Sequence, residues 1–228
     1  VLTMPESMSA ERKTLLRGLG AQLVLTPASE GMTGAVKEAE SLVKQSPGAV
    51  MLQQFSNPAG PEVHANHTAQ EIWDDCDGKI DIAVAGIGTG GTVTGLGKRL
   101  KSLNPSIQIF GVEPAESPVL TGGKAGPHLI QGIGAGFVPE VLDRSVIDGV
   151  IDVPGEEALK TARALLRREG IFCGISSGAA AYAALELGMT EDNWGKRTVF
   201  ICRLYTPHAA AGEDRGVLGW QRRIQHTS

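Results

Sequence analysis

Gly86-Ile87-Gly88-Thr89-Gly90-Gly91-Thr92-Val93-Thr94-Gly95 follows the apolar run Ile80-Asp81-Ile82-Ala83-Val84-Ala85 and leads into a helical stretch from Val93 to Leu103. A short β-rich run feeding a glycine-rich loop and then a helix is the order of a phosphate cradle. Glycines let the backbone approach closely, so several N–H groups can point at one anion. The helix N-terminus adds its dipole, about half a positive charge. The segment therefore reads as a site for a phosphorylated small molecule, against the alternative of a tight strand-to-helix turn with no ligand. It is no standard nucleotide signature. A P-loop needs Gly-Lys followed by Ser or Thr, and here Thr94-Gly95 is followed by Leu96. Gly86, Gly88 and Gly91 fit G-x-G-x-x-G, but the acidic residue at the next strand end, Glu113, lies later than the usual spacing of about twenty positions.

Working outward, strand patterns alternate with helical ones. Gln22 to Thr26, Ile80 to Ala85, Ile107 to Val112 and Thr198 to Ile201 read as strands. Thr33 to Lys44 carries helical spacing at Ala35, Ala39 and Leu42-Val43. Pro154-Gly155-Glu156-Glu157 opens a second helix with acids in its first turn, Arg167 and Arg168 toward its end and Gly170 as its stop. This alternation predicts an α/β fold with a largely parallel sheet covered by helices, and ligands in such sheets sit at the carboxyl ends of strands. Thr121 to Phe137 holds six glycines and one proline, which no regular helix accommodates, and a loop of that length in a compact domain is usually functional. In Ile175-Ser176-Ser177-Gly178, Ser177 reads as the N-cap of a helix from Ala179 to Leu187, placing another helix N-terminus near the ligand.

Composition narrows the partners. The 228 residues carry 42% apolar side chains and a net charge of −4, with no basic run interleaved with aromatics, so nucleic acid is not the expected partner. No apolar stretch approaches the ~18 residues of a membrane span. Cys76, Cys173 and Cys202 lack metal-ligand spacing, and an odd number of cysteines suits reduced thiols in a cytoplasmic protein, an organellar location staying open.

Several segments together resemble cysteine synthase, the O-acetylserine sulfhydrylase branch of the fold-type II pyridoxal-phosphate enzymes. They are the run from Thr3 to Arg12, Gln54-Phe55-Ser56-Asn57-Pro58-Ala59, Gly86 to Gly95, Gly111-Val112-Glu113-Pro114-Ala115-Glu116-Ser117, Gly126-Pro127-His128, Gln131 to Phe137, and Gly174-Ile175-Ser176-Ser177-Gly178. The resemblance implies a fold-type II parallel sheet with flanking helices and pyridoxal 5'-phosphate as cofactor. Gly88, Thr89, Gly90, Gly91 and Thr92 would hold the cofactor phosphate, the loop from Gly132 to Gly136 would border its ring, and Gln54 would lie near the substrate carboxylate. The implied reaction replaces acetate in O-acetylserine by sulfide to give L-cysteine. The implied partners are those two substrates, the C-terminal tail of serine acetyltransferase, and a second copy in a homodimer.

The departures are equally specific. The family's cofactor lysine, in a Ser-x-x-Lys segment, and its Thr-Ser-Gly-Asn-Thr substrate loop would both lie upstream of Val1. None of the nine lysines, Lys98 and Lys124 included, sits in the expected context, so no catalytic residue is assigned within the chain. The family's segment after the last strand, which supplies the hydroxyl that meets the pyridine nitrogen, has no counterpart after Cys202, and the family's Thr-Thr-Gly-Pro is His67-Thr68-Ala69-Gln70 here. The expected organisation is a remnant of an N-terminal α/β domain over 1–54, the cofactor-phosphate-binding α/β domain over 55–205, and a divergent, disordered tail over 206–228. One domain is thus expected to be incomplete. The alternative is a catalytically inactive, truncated paralogue that binds an anion or a partner.

Overall fold

The computed structural model describes residues 1–202 and divides into two compact units, 1–53 and the part that begins at Gln54. The expected tail lies outside the described residues.

In the first unit, β1 (Leu2–Pro5) pairs in parallel with β2 (Leu23–Thr26), Leu2 opposite Leu23 and Pro5 opposite Thr26. Parallel strands need a crossover, and α1 (Ala10–Gly18) supplies it. The Ser9 hydroxyl caps that helix by accepting the Arg12 N–H at 3.3 Å. The helix α2 (Gly31–Gln45) lies on this strand pair, where the Thr3 hydroxyl donates to the Ala35 carbonyl at 2.7 Å.

The second unit holds a four-stranded parallel sheet. Its strands are β3 (Ile82–Gly86), β4 (Gln108–Pro114), β5 (Gly149–Val153) and β6 (Thr198–Phe200), in the spatial order β5-β4-β3-β6. Strand β3 sends its two faces to two cores. Ala83 and Ala85 pack with Ile72 of α4 (Ala69–Asp75) and with Val93, Leu96 and Leu100 of α5 (Gly91–Leu103). Ile82 and Val84 pack with Ala158 of α6 (Gly155–Glu169) and with Ala179 and Ala183 of α7 (Ile175–Met189). Burial on both faces explains why β3 reads as a continuous apolar run rather than an alternating one. Each fully buried Ile, Val or Leu contributes about 1.5–3 kcal/mol relative to exposure, and Ile72, Ile82, Val84, Val93, Leu96 and Leu100 are all at 1% exposure or less.

Glu156 and Glu157 occupy the first turn of α6 and Arg167 and Arg168 its last, and Gly170, at φ 71°, closes it as the sequence predicts. One expectation is corrected. Helix α7 begins at Ile175 with Gly174 as its cap, so Ser177 lies inside its first turn, where its N–H donates to the Gly174 carbonyl at 3.0 Å. The partly buried Ile175 packs with the α6/α7 core, and the cap falls three residues earlier than expected. Ala59 to Asp75, to which the sequence reading assigned no element, is helical almost throughout. It runs from α3 (Ala59–Val63) through a π-helical turn over His64–Thr68 into α4.

Candidate cofactor-phosphate site

Strand β3 ends at Gly86, and the chain turns through Ile87, Gly88, Thr89 and Gly90 into α5. The junction lies at the carboxyl end of the sheet, where β3 is flanked by β4 on one side and β6 on the other. That is the switch point at which ligands bind in open α/β sheets. Gly91 and Thr92, expected in the loop, form the first turn of α5, and Gly90 is its cap at φ 86° with no side-chain cap bond. The left-handed backbone and Leu142, whose Cβ would come within 2.9 Å of a Cβ on residue 90, both require glycine there. The Thr89 hydroxyl accepts the Gly91 N–H at 3.3 Å. Gly88, Thr89 and Thr92 are half-buried and therefore reachable, while Gly90 and Gly91 are buried.

A second glycine segment closes on the first. The Gly134 N–H donates to the Ile87 carbonyl at 3.0 Å. The carbonyl of Gly132 faces Gly88 so closely that a Cβ there would collide with it. Ile133 fills the space beside Gly86, where a Cβ would sit 2.8 Å from its methyl group. The start of α7 also arrives here: the nearest atom to a Cβ built on Gly132 is the Ser176 hydroxyl, at 3.9 Å. The sequence-predicted residues Gly88, Thr89, Gly90, Gly91, Thr92 and Gly132 thus come together.

Gln54 sits exposed in a turn before α3. Its neighbour Phe55 meets Phe137 edge to face, with ring centroids 5.0 Å apart, and the Phe55 carbonyl accepts the Val141 N–H at 3.1 Å. The turn is therefore anchored to the far end of the second glycine segment. Lys98 pairs with Asp143 at 3.3 Å on the exposed side of α5, and Lys124 is exposed.

His64 is a residue the sequence reading missed. In the π-helical turn, its Nδ1 lies 3.0 Å from the Thr68 hydroxyl and its Nε2 lies 3.1 Å from the Thr92 hydroxyl. Burial holds its pKa below the ordinary value, favouring the neutral ring. A histidine 28 positions before Thr92 gives no local signal. Gly95 is buried within α5. A Cβ there would strike the Pro61 carbonyl and approach His64 Cβ at 2.6 Å, so this glycine lets the π-helical segment lie against α5.

The cradle fits an anion. Its backbone is glycine where neighbours leave no room for Cβ, the cap residue brings no side chain, and a helix dipole faces outward. Among the described residues, no cluster of His, Cys, Asp or Glu could hold a metal ion, and no helix is long and apolar enough to cross a membrane.

Comparison with known proteins identifies the family and the fold. Residues 1–202 match the pyridoxal-phosphate dependent enzyme family. The chain is 50% identical over 209 residues to cysteine synthase A of Escherichia coli K12, covering 88% of this chain and 65% of that protein. It is 51% identical over 208 residues to a cysteine synthase of Haemophilus influenzae, covering 88% of this chain and 66% of that one. The crystal structure of a cysteine synthase from Entamoeba histolytica superimposes with a TM-score of 0.80 at 44% identity, over 87% of this chain and 59% of that one. The chain thus spans just under two thirds of the length of the curated relatives it matches. The parallel α/β fold is that of the fold-type II enzymes, and the chain belongs to the pyridoxal-phosphate dependent enzyme family.

Proposed function

We propose that this chain serves a cysteine synthase, a transferase that exchanges the acetate of O-acetylserine for sulfide to give L-cysteine. The observation that carries the reading is the pairing of two glycine segments at the carboxyl end of β3, one opening α5 and the other joined to it through Gly134 and Ile87. Pyridoxal phosphate, when bound, supplies the electron sink that stabilises negative charge at the substrate α-carbon.

The residues of this chain hold and orient. The N–H groups and hydroxyls of Gly88, Thr89, Gly90, Gly91 and Thr92 take the phosphate, with the α5 dipole adding to the attraction. Thr92 presents its hydroxyl in an orientation set by His64, and His64 is set in turn by Thr68. Gly132 borders the cofactor ring without a side chain to obstruct it. Gln54 offers its amide N–H to the substrate carboxylate. The amine that binds the cofactor covalently is assigned to none of the nine lysines of this chain.

Serine acetyltransferase, through its C-terminal tail, and a second copy of the chain are the proposed partners. The proposed compartment is the cytoplasm, supported by three free, buried cysteines.

Two measurements test the reading. Pyridoxal phosphate should be retained by the chain through its phosphate, and retention should fall in Gly88→Val. The full-length gene product should form cysteine from O-acetylserine and sulfide. Phosphate-dependent binding without cysteine formation would favour an inactive anion- or partner-binding paralogue, and no binding at all would overturn the reading.

A further inference from the structure

We propose that His128 is a positioning residue that sets the second glycine segment against the cofactor site. The inference rests on the cofactor reading above and adds a residue to it. His128 Nε2 lies 3.1 Å from the Gly134 carbonyl oxygen. A carbonyl can only accept, so Nε2 carries the proton. Nδ1 is buried and meets no hydrogen-bond partner among the described residues. In the neutral ring the proton therefore sits on Nε2, where it is used, and Nδ1 carries none.

Gly134 is therefore gripped from both ends of its residue. Its N–H goes to the Ile87 carbonyl at 3.0 Å, at the start of the phosphate loop. Its carbonyl goes to His128. The residue sits at φ 66°, and a Cβ on it would meet Pro114 Cγ at 2.7 Å and His128 Nε2 at 2.8 Å. The imidazole and the Pro114 ring thus form the wall against which Gly134 rests. Through Gly134 this wall sets where Gly132 lies relative to Gly88. The hydrogen bond of His128 goes to Gly134 rather than to Gly88 or Gly132. It acts through the loop, and the bond it makes fixes Gly134, which has no side chain of its own, between the packed side chains of Ile133 and Phe137.

The test has three readouts. In the unsubstituted 228-residue chain, nitrogen NMR of the imidazole should show Nε2 protonated and Nδ1 unprotonated; the opposite tautomer would overturn the proposal without any substitution. In His128→Phe, which keeps a ring but removes the donor, the Gly134 amide should exchange with solvent about tenfold faster, the scale of one lost hydrogen bond. The Val84 and Ala85 amides of β3 should keep their rates, and His128→Gln, which returns an N–H donor, should restore most of the Gly134 protection. An unchanged Gly134 rate in His128→Phe, or no restoration by His128→Gln, would overturn it. With pyridoxal phosphate added, His128→Phe should weaken retention about tenfold and His128→Gln should recover it; equal retention in all three would overturn the link to the site. Failure of the unsubstituted chain to retain pyridoxal phosphate would count against the cofactor reading, and the exchange of Gly134 would still decide the role of His128.

Discussion

The Gly134 N–H and the Ile87 carbonyl, 3.0 Å apart, join two glycine segments that lie 47 positions apart in the chain. One opens helix α5, and the other is the irregular stretch between β4 and β5. The bond places Gly132 beside Gly88 and makes one surface of both. The Gly132 carbonyl leaves no room for a side chain at Gly88, Gly132 itself is held to glycine by its φ of 101°, and the first prediction follows. Gly88→Ala puts a Cβ against the Gly132 carbonyl, a backbone atom that cannot yield unless the segment moves. The variant should lose about 1–3 kcal/mol of stability by overpacking. Pyridoxal phosphate affinity should fall at least about tenfold, equivalent to 1.4 kcal/mol. Urea denaturation and a cofactor titration read the two effects, and near-original values in both would show that the segments do not pack as described.

A second prediction concerns Thr94, which is fully buried on α5. Its hydroxyl donates to the Val141 carbonyl at 3.3 Å and accepts the Asp143 N–H at 3.0 Å. It therefore pins the segment following the second glycine loop to the helix that opens at Gly91. Thr94→Val keeps the shape and removes both bonds. Unpaired groups in a half-buried setting cost about 1–3 kcal/mol, which should appear as a lower urea midpoint with an unchanged slope.

The third prediction follows from His64. Burial lowers its pKa in the folded chain. The unfolded chain therefore binds a proton more readily than the folded one, and stability falls as pH drops through the unfolded value of about 6.5 toward the lower folded value. Denaturation midpoints measured from pH 8 down to pH 5 should decline, and His64→Asn should remove part of that decline. The variant should also weaken cofactor retention, because the Thr92 hydroxyl loses the ring beside it.

Cysteine chemistry gives the fourth. Cys173 and Cys202 are buried together near Ala162, and burial first, then the neighbouring Cys202 thiol, push the Cys173 pKa up to about 12. The native thiol is therefore protonated at pH 8 and poorly nucleophilic. Iodoacetamide should label it slowly in the native chain and rapidly in urea. The sign for stability is also set: the folded pKa lies above the unfolded one, so the contribution is complete below about pH 9 and is lost as pH rises toward 12.

Much of this site was legible in the sequence, for physical reasons that differ by element. The apolar run before Gly86 could be read as a strand because β3 is buried on both faces. The helix over α6 could be read because its acids, bases and closing Gly170 mark both ends. The turn between β3 and α5 could be read because its clustered glycines interrupt both the strand and the helix pattern. The helical stretch over α3 and α4 escaped notice because Pro58, Gly60 and Pro61 look like a turn and the π-helical insertion breaks the apolar period. Ser177 was misplaced as a cap because a serine suits that role by type, whereas packing at Ile175 decides where α7 starts. His64 and His128 could not be found by spacing, since each works through a partner that only folding brings near. Gly95 gave no sign of its packing role, since only folding brings the π-helical segment against it.

The central claim is that the loop before α5 and the first turn of that helix take the phosphate of pyridoxal phosphate. A titration of the isotope-labelled 228-residue chain with pyridoxal phosphate, followed by amide NMR, tests it most directly. The amides of Gly88, Thr89, Gly90, Gly91 and Thr92 should shift together and saturably, with Gly132 and Gly134 following, and pyridoxal without its phosphate should produce little change. Saturable shifts elsewhere, or equal effects from the unphosphorylated compound, would contradict it.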